Sequence, residues 1–313
     1  MKVNPAALSL GCMNFGKRTD RATSLRILGA AFDAGIEWFD TANMYVEGES
    51  ERIVGAALRG RREQVRVATK VGLGRVSGHS EGLAPARVLK ACDESLGRLG
   101  IDAIDLYYLH APDAGTPFEA TLEAVAALLE CGKIRSWGVS NFASWQILEL
   151  HHLAARMGIP RPAAAQQMYN ALVRQLDIEY FAFTARYPIH TTVFNPLAGG
   201  LLAGGCRQDA PPAPGSRFEQ NAMYRRRYWQ SPMFTAVEAL AALAAKQGCS
   251  VLDLAYAFLF RHPGVDSVLV GPATEAHLAA AVLAQSVPLP PDVRREIDTI
   301  GIALAGTDAR YAR

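Results

Sequence analysis

The chain has 313 residues, half of them hydrophobic, and a formal net charge of +2. That is enough to bury a large core, as about two domains or as one α/β barrel of roughly 250 residues. The near-neutral balance gives no ground for nucleic acid or an anionic membrane surface as partner, and no apolar run approaches the ~20 residues that a bilayer crossing needs.

Short apolar runs alternate with helix-period stretches along the chain. The predicted strands are 7–12 (ALSLGC), 36–40 (IEWFD), 65–70 (VRVATK), 103–110 (AIDLYYLH), 134–140 (IRSWGVS), 162–167 (PAAAQQ), 189–195 (IHTTVFN) and 266–271 (DSVLVG). The predicted helices between them are 22–34, 49–59, 85–99, 118–131, 144–156, 174–186, 234–262 and 275–284, with a last one at 290–304. The run 162–167 has the weakest strand propensity of the eight. Strand and helix alternating eight times is the pattern of a (β/α)8 TIM barrel, an α/β fold, and apolar strands without clean alternation fit a parallel sheet covered by helices. The rival is a doubly wound open sheet. Units of similar length and the lack of a Gly-rich first turn favour the barrel, and no composition shift divides 1–313 into more than one domain. The Pro/Gly-rich stretch 205–216 reads as a long loop after the seventh strand.

Five cysteines (12, 92, 131, 206, 249) form no CxxC pair and no cluster with histidine. They read as reduced thiols, without a zinc site or a disulfide framework. The opening "MKVNPAALSLGC" has a prolyl break and too short an apolar stretch for a signal peptide, so a cytoplasmic protein is expected.

The working face of such a barrel is the C-terminal end of its strands. Six of the runs end on or beside a hydrogen-bonding side chain: Asp40, Lys70, His110, Ser140 with Asn141, Gln166 and Asn195. Taken alone, "FDTANMYVEGES" (39–50) serves equally well as a capped turn in which Tyr45 covers a gap. Beside the other endings it takes on chemistry. A tyrosine has an ordinary pKa near ~10, and a nearby ammonium lowers it by favouring the phenolate. Lys70 supplies that charge, Asp40 keeps Lys70 protonated and in position, and His110 donates to a substrate oxygen. Tyr45 then acts as general acid for an oxygen that gains negative charge, which suits reduction of a carbonyl by hydride.

The segments "FDTANMY", "VATK", "LYYLHAPD", "WGVSNFASW", "QQMYN" and "FNPLAGGLL" resemble those of the aldo-keto reductases. "SNFASW" (140–145), "MYNALVRQ" (168–175) and the pattern of 217–229 are most similar to the aflatoxin aldehyde and succinic semialdehyde reductase branch. The resemblance runs from Gly11 to the C-terminus. It implies that Asp40, Tyr45, Lys70 and His110 form a catalytic tetrad with Tyr45 as proton donor. It also implies NADPH lying across the barrel mouth, with Asp40 beside it. Ser140, Asn141 and Gln166 would hold its carboxamide and Phe194 would stack on its ring. The loop of Asn195, Pro196, Leu197, Gly199, Gly200, Leu201, Gly204 and Gly205 would wrap the pyrophosphate, its glycines letting backbone N–H groups approach. Gly271, Thr274 and His277 would meet the adenosine end. Where the branch closes its pyrophosphate loop with lysine this chain has Gly205, which leaves Arg207 as the nearby cation. The branch also suggests a homodimer.

Arg217, Arg225, Arg227 and the C-terminal Arg313 form a candidate cationic rim for substrate, with Tyr228 and Trp229 as its aromatic wall. "GLGRVSG" (72–78) has the wrong spacing for a dinucleotide fingerprint and reads as a flexible loop, and His151-His152 as a solvated helix face. The expected partner is a small carbonyl compound. Competing readings are a reductase of a keto-sugar or another biosynthetic intermediate, and a non-catalytic regulatory subunit with this fold.

Overall fold

The computed structural model describes residues 7–309 and 311. Among them, eight parallel strands close into a barrel: β1 Ala7–Gly11, β2 Trp38–Asp40, β3 Arg66–Val71, β4 Leu106–Leu109, β5 Trp137–Ser140, β6 Ala164–Met168, β7 His190–Phe194 and β8 Ser267–Val270. Each strand pairs with its neighbours in sequence, and β8 returns to β1, so the barrel itself is closed. The barrel predicted from the alternating pattern is the observed fold.

The two-residue period of a strand sorts the barrel's interior into layers. Ala68, Leu106, Tyr108 and Ala164 pack together inside the barrel, with Trp38 against them. Two residues further along the same strands come Asp40, Lys70, His110 and Gln166. The register pairs Asp40 with Ala68 and Lys70 with Tyr108, so neighbouring strands are staggered between the two layers, and it sets Ser140 beside Gln166. The alternate residues face outward into the main core, where Phe39, Val67, Tyr107, Trp137 and Val193 are fully buried.

β6 forms despite its weak propensity because it is paired on both sides, with β5 and β7, and β5 approaches it closely at Gly138. A Cβ on Gly138 of β5 would stand 2.6 Å from the Ala164 carbonyl oxygen and 2.8 Å from the Tyr108 ring.

Helices α1 Arg21–Asp33, α2 Glu49–Leu58, α3 Pro85–Leu99, α4 Phe118–Glu130, α5 Ser144–Met157, α10 Glu275–Ala284 and α11 Pro291–Ala305 lie within a residue or so of expectation. Their ends follow local chemistry. Asp20 caps α1 by accepting from Thr23 N at 2.9 Å, and Pro85 and Pro291 open α3 and α11.

Three expectations need correcting. The helix predicted over 234–262 is two, α8 Ser231–Lys246 and α9 Val251–Phe260. Gly248 takes a left-handed φ of 68°, and Ser250 starts α9 in a reciprocal capping arrangement with Asp253. The helix predicted over 174–186 shrinks to a 3₁₀ turn at Gln175–Asp177 and α6 Tyr180–Arg186, because the Asp177 carboxylate is held by the Tyr169 hydroxyl at 2.6 Å and by Arg174 at 2.5 Å. The loop predicted over 72–78 carries a two-residue antiparallel ladder, Arg75–Val76 with His79–Ser80. A further helix, α7 Ala222–Tyr228, was not predicted; Asn221 caps it by accepting from Tyr224 N at 3.2 Å.

Candidate active site

Lys70 is completely buried in the barrel mouth. Its ammonium donates to Asp40 Oδ1 and to the Thr41 carbonyl at 2.7 Å. Asp40 Oδ2 accepts from Gln166 Nε2 at 2.8 Å, so three strands meet on one carboxylate. Tyr45 sits beyond β2 in a tight turn over Tyr45–Gly48, in which Val46 and Glu47 adopt left-handed φ values of 50° and 54°. That turn brings its ring to 5.2 Å from Lys70 Nζ and 5.8 Å from the His110 ring, edge to face. His110 directly follows β4. Its N–H donates to the Val71 carbonyl at 2.8 Å, and its own carbonyl accepts from Asn141 Nδ2 at 2.9 Å. Among the described residues its buried Nδ1 has no hydrogen-bond partner. The four candidates thus share one mouth.

Burial sets the electrostatics, and ion pairing decides where it is overridden. Burial works against the Lys70 charge, but Asp40 and Tyr45 reverse this and hold its pKa above the ordinary lysine value. Burial lifts the Asp40 carboxyl above the usual carboxylate range, with Lys70 and the Gln166 amide opposing it. Burial, reinforced by Lys70, pushes His110 well below the usual imidazole value, so its ring is neutral at pH 7. Tyr45 departs from expectation. Its pKa is raised, because burial outweighs the nearby ammonium.

The other candidates divide by what already engages them. Gln166 gives its amide donor to Asp40, and Ser140 Oγ accepts from Asn141 Nδ2 at 3.1 Å. Phe194 stands half-buried at the end of β7. Asn195 shapes the loop after it: Oδ1 accepts from Gly199 N at 2.8 Å and Nδ2 donates to the Tyr228 hydroxyl. Pro196 and Leu201 are buried beneath that loop, and Leu197 is half-buried. Gly199, Gly200, Gly204 and Gly205 all take positive φ. Arg207 is exposed and forms a two-pronged pair with Asp209, at 2.7 and 3.0 Å. Across the mouth, Gly271 O accepts from Asn14 Nδ2 at 3.3 Å, and Thr274 caps α10 by accepting from His277 N at 3.2 Å.

The cationic rim is partly as expected. Arg217 Nη2 donates to Asn14 Oδ1 at 2.7 Å and Nη1 to the Tyr224 hydroxyl at 3.3 Å. Arg227 lies 5.9 Å from the same Tyr224 ring. Arg313 lies outside the described residues. Arg225 instead braces the loop, donating to the Phe218 carbonyl at 2.8 Å. The expected aromatic wall is not there. Tyr228 is fully buried with its hydroxyl on Asn195, and Trp229 is wedged between Phe218 and Phe234 at 4.9 and 5.1 Å. Tyr224 is the aromatic that meets the rim, its ring 5.2 Å from the Arg217 guanidinium and 6.0 Å from the Tyr228 ring. Arg18 was also missed; it donates to the Gly215 carbonyl at 2.5 Å and feels the Arg217 charge. Its signal was present in the sequence, a cation shortly after the first strand end, but only the folded loop brings it to the rim.

A family model described as aldo/keto reductase family matches residues 7–302. The chain is 35% identical over 305 residues to aflatoxin B1 aldehyde reductase member 2 of Homo sapiens, covering 91% of this chain and 83% of that protein. It is 34% identical over 313 residues to aldo-keto reductase family 7 member A3 of Homo sapiens, covering 93% and 92%. It is 32% identical over 302 residues to a probable voltage-gated potassium channel subunit beta of Oryza sativa subsp. japonica, covering 94% and 92%.

Proposed function

The chain belongs to the aldo/keto reductase family, and from that premise we propose that it is an NADPH-dependent reductase of an acidic aldehyde, with Tyr45 as proton donor. The observation that carries this is the buried ammonium of Lys70, held by Asp40 and set against the Tyr45 ring with a neutral His110 opposite.

NADPH, when bound, supplies the hydride. The mouth suits such a group. A Cβ on Gly200 or Gly205 would meet nothing within 4 Å, so the loop after β7 offers open backbone to a phosphate. Ser140, Asn141 and Gln166 would hold the carboxamide, Phe194 the ring, the loop Asn195–Gly205 the pyrophosphate, and Gly271, Thr274 and His277 the adenosine end. Arg207 would exchange Asp209 for a 2′-phosphate, at small cost because the pair is open to solvent and screened by it.

The residues of the chain do the rest. Neutral His110 donates its ring N–H to the carbonyl oxygen and orients it without bringing a second positive charge next to Lys70. As that oxygen gains charge, Tyr45 gives it a proton. The raised pKa suits this role: it keeps the phenol protonated at neutral pH, and an alkoxide is a far stronger base than a phenolate. Lys70 stabilises the phenolate that results, and Asp40 keeps Lys70 charged. Arg217 and Arg227 beside Tyr224 would hold a substrate carboxylate, since a guanidinium can grip one through two parallel hydrogen bonds.

NADPH consumption with succinic semialdehyde and with a neutral aldehyde of equal length tests this. The acidic aldehyde should show the higher kcat/KM. No turnover of either would favour a regulatory role, in keeping with the resemblance to a probable channel subunit. Preference for the neutral aldehyde would remove the rim from substrate recognition.

A further inference from the structure

Glu81 lies outside the four residues proposed for the chemistry, yet its side chain is only 2% exposed. Its carboxylate gathers donors from two segments that carry the site. Oε2 accepts from Gly72 N at 2.8 Å and Gly74 N at 3.2 Å, both just past Lys70. Oε1 accepts from Asn43 Nδ2 at 2.6 Å, in the stretch between Asp40 and Tyr45. Arg87 balances the charge, donating to the same Oε1 at 2.9 and 2.7 Å, and reaches on to Glu94 at 3.1 Å. Asn43 is tied a second time, since its backbone N–H donates to the Lys70 carbonyl at 3.1 Å.

We propose that Glu81 is a positioning residue, a buried clasp that fixes the Asn43–Tyr45 turn against the end of β3 and so sets the Tyr45 hydroxyl relative to Lys70. The turn needs such support. Val46 and Glu47, directly after Tyr45, hold left-handed φ values without being glycine, a conformation that persists only where the surroundings over-determine it. Charge neutralisation alone does not account for the arrangement, because Arg87 could meet Glu81 at the surface. Burial is tolerated because backbone and amide donors saturate the carboxylate, and those donors belong to the two catalytic segments. The space is closely fitted: a Cβ on Gly74 would stand 3.0 Å from Glu81 Oε2 and 3.3 Å from Met44 Cβ.

This inference rests on the reading of Tyr45 as proton donor, so its test has one arm that requires turnover and one that does not. Glu81→Ala, Glu81→Gln, Asn43→Ala and the double variant Glu81→Ala/Asn43→Ala are compared with wild type. Misplacing a catalytic group by about an ångström costs on the order of 10²-fold. Glu81→Ala and Asn43→Ala should each lower kcat by about ten- to a hundredfold, while Kd for NADPH, read from its fluorescence, stays close to wild type. The double variant should fall no further than the worse single, because both remove one linkage. Glu81→Gln keeps one acceptor and should fall between. Independently of activity, amide hydrogen exchange over 41–48 should rise in both single variants and stay unchanged in β6 to β8. Additive losses in kcat, unchanged exchange over 41–48, or exchange rising throughout the barrel would each overturn the clasp. If exchange responds as expected while wild type reduces no aldehyde, the clasp stands and the proposed function fails.

Discussion

Asp40→Asn is the perturbation whose consequences the site defines most sharply. The substitution keeps the shape of the side chain and removes its charge. Lys70 is then left fully buried without a carboxylate, facing only the Thr41 carbonyl at 2.7 Å, the neutral amide oxygen of the substituted side chain and Tyr45. A buried ammonium stripped of its counter-ion destabilises a protein by about 3–5 kcal/mol. The variant can escape by deprotonating Lys70. Taking a lysine from about 10.4 to 7 costs roughly 3.4 pK units at 1.36 kcal/mol each, about 4.6 kcal/mol. The two costs match, so the loss of stability is capped near that figure and Lys70 in the variant titrates within reach of neutral pH.

The sign follows from the causes already described. In wild type the Lys70 pKa lies above its ordinary value, so its contribution is complete at neutral pH and is lost only as pH rises through that raised pKa. In Asp40→Asn burial dominates and the pKa falls, so the same loss moves down toward neutrality. Single-turnover oxidation of bound NADPH, followed from about pH 6 to 9, should be flat in wild type with respect to Lys70. In Asp40→Asn it should be slower by on the order of 10²–10⁴ and slow further as pH rises. Urea unfolding measured alongside should show a loss of about 3–5 kcal/mol. A variant with a wild-type rate, a flat profile and less than about 1 kcal/mol of lost stability would refute the reasoning.

Two further predictions concern the rest of the mouth. His110 is neutral across the working range, so kcat/KM of wild type should show no limb near the ordinary histidine value of ~6.5, and His110→Phe should lower kcat on the order of 10²–10³; a limb at that pH that disappears in His110→Phe would contradict this. Arg217→Ala and Arg227→Ala should raise KM for succinic semialdehyde by about three- to tenfold and leave a neutral aldehyde unchanged, with the difference shrinking at high salt; indifference of the acidic substrate to both changes would remove these arginines from recognition.

How much of this was legible in the sequence depended on whether a residue's place was fixed by the strand period or by a loop. Asp40, Lys70, His110 and Gln166 end apolar runs, and a parallel barrel brings all such ends to one mouth, so their convergence could be read from order alone. The weak strand 162–167 was also recovered, because position in the alternation outweighed propensity. What failed lies where the chain turns back on itself. Tyr224 and Tyr228 are four residues apart on α7, and only the fold decides that Tyr224 faces the rim while Tyr228 is buried against Asn195. Arg18 and Arg217 are nearly two hundred residues apart in sequence and meet through loops. The 72–78 segment reads as flexible from its glycines, yet Glu81 pins it through backbone donors at Gly72 and Gly74, a bond type that leaves no side-chain signature. The Tyr45 pKa was expected to fall because its cation was legible and its degree of burial was not.

The central claim is that Tyr45 gives the proton, and Tyr45→Phe tests it most directly. Phenylalanine keeps the ring against His110 and Lys70 and removes only the hydroxyl. Single-turnover oxidation of NADPH by succinic semialdehyde is measured together with Kd for NADPH in the same protein. The account predicts a rate lower on the order of 10²–10⁴, with Kd for NADPH unchanged. A near wild-type rate in Tyr45→Phe would contradict it.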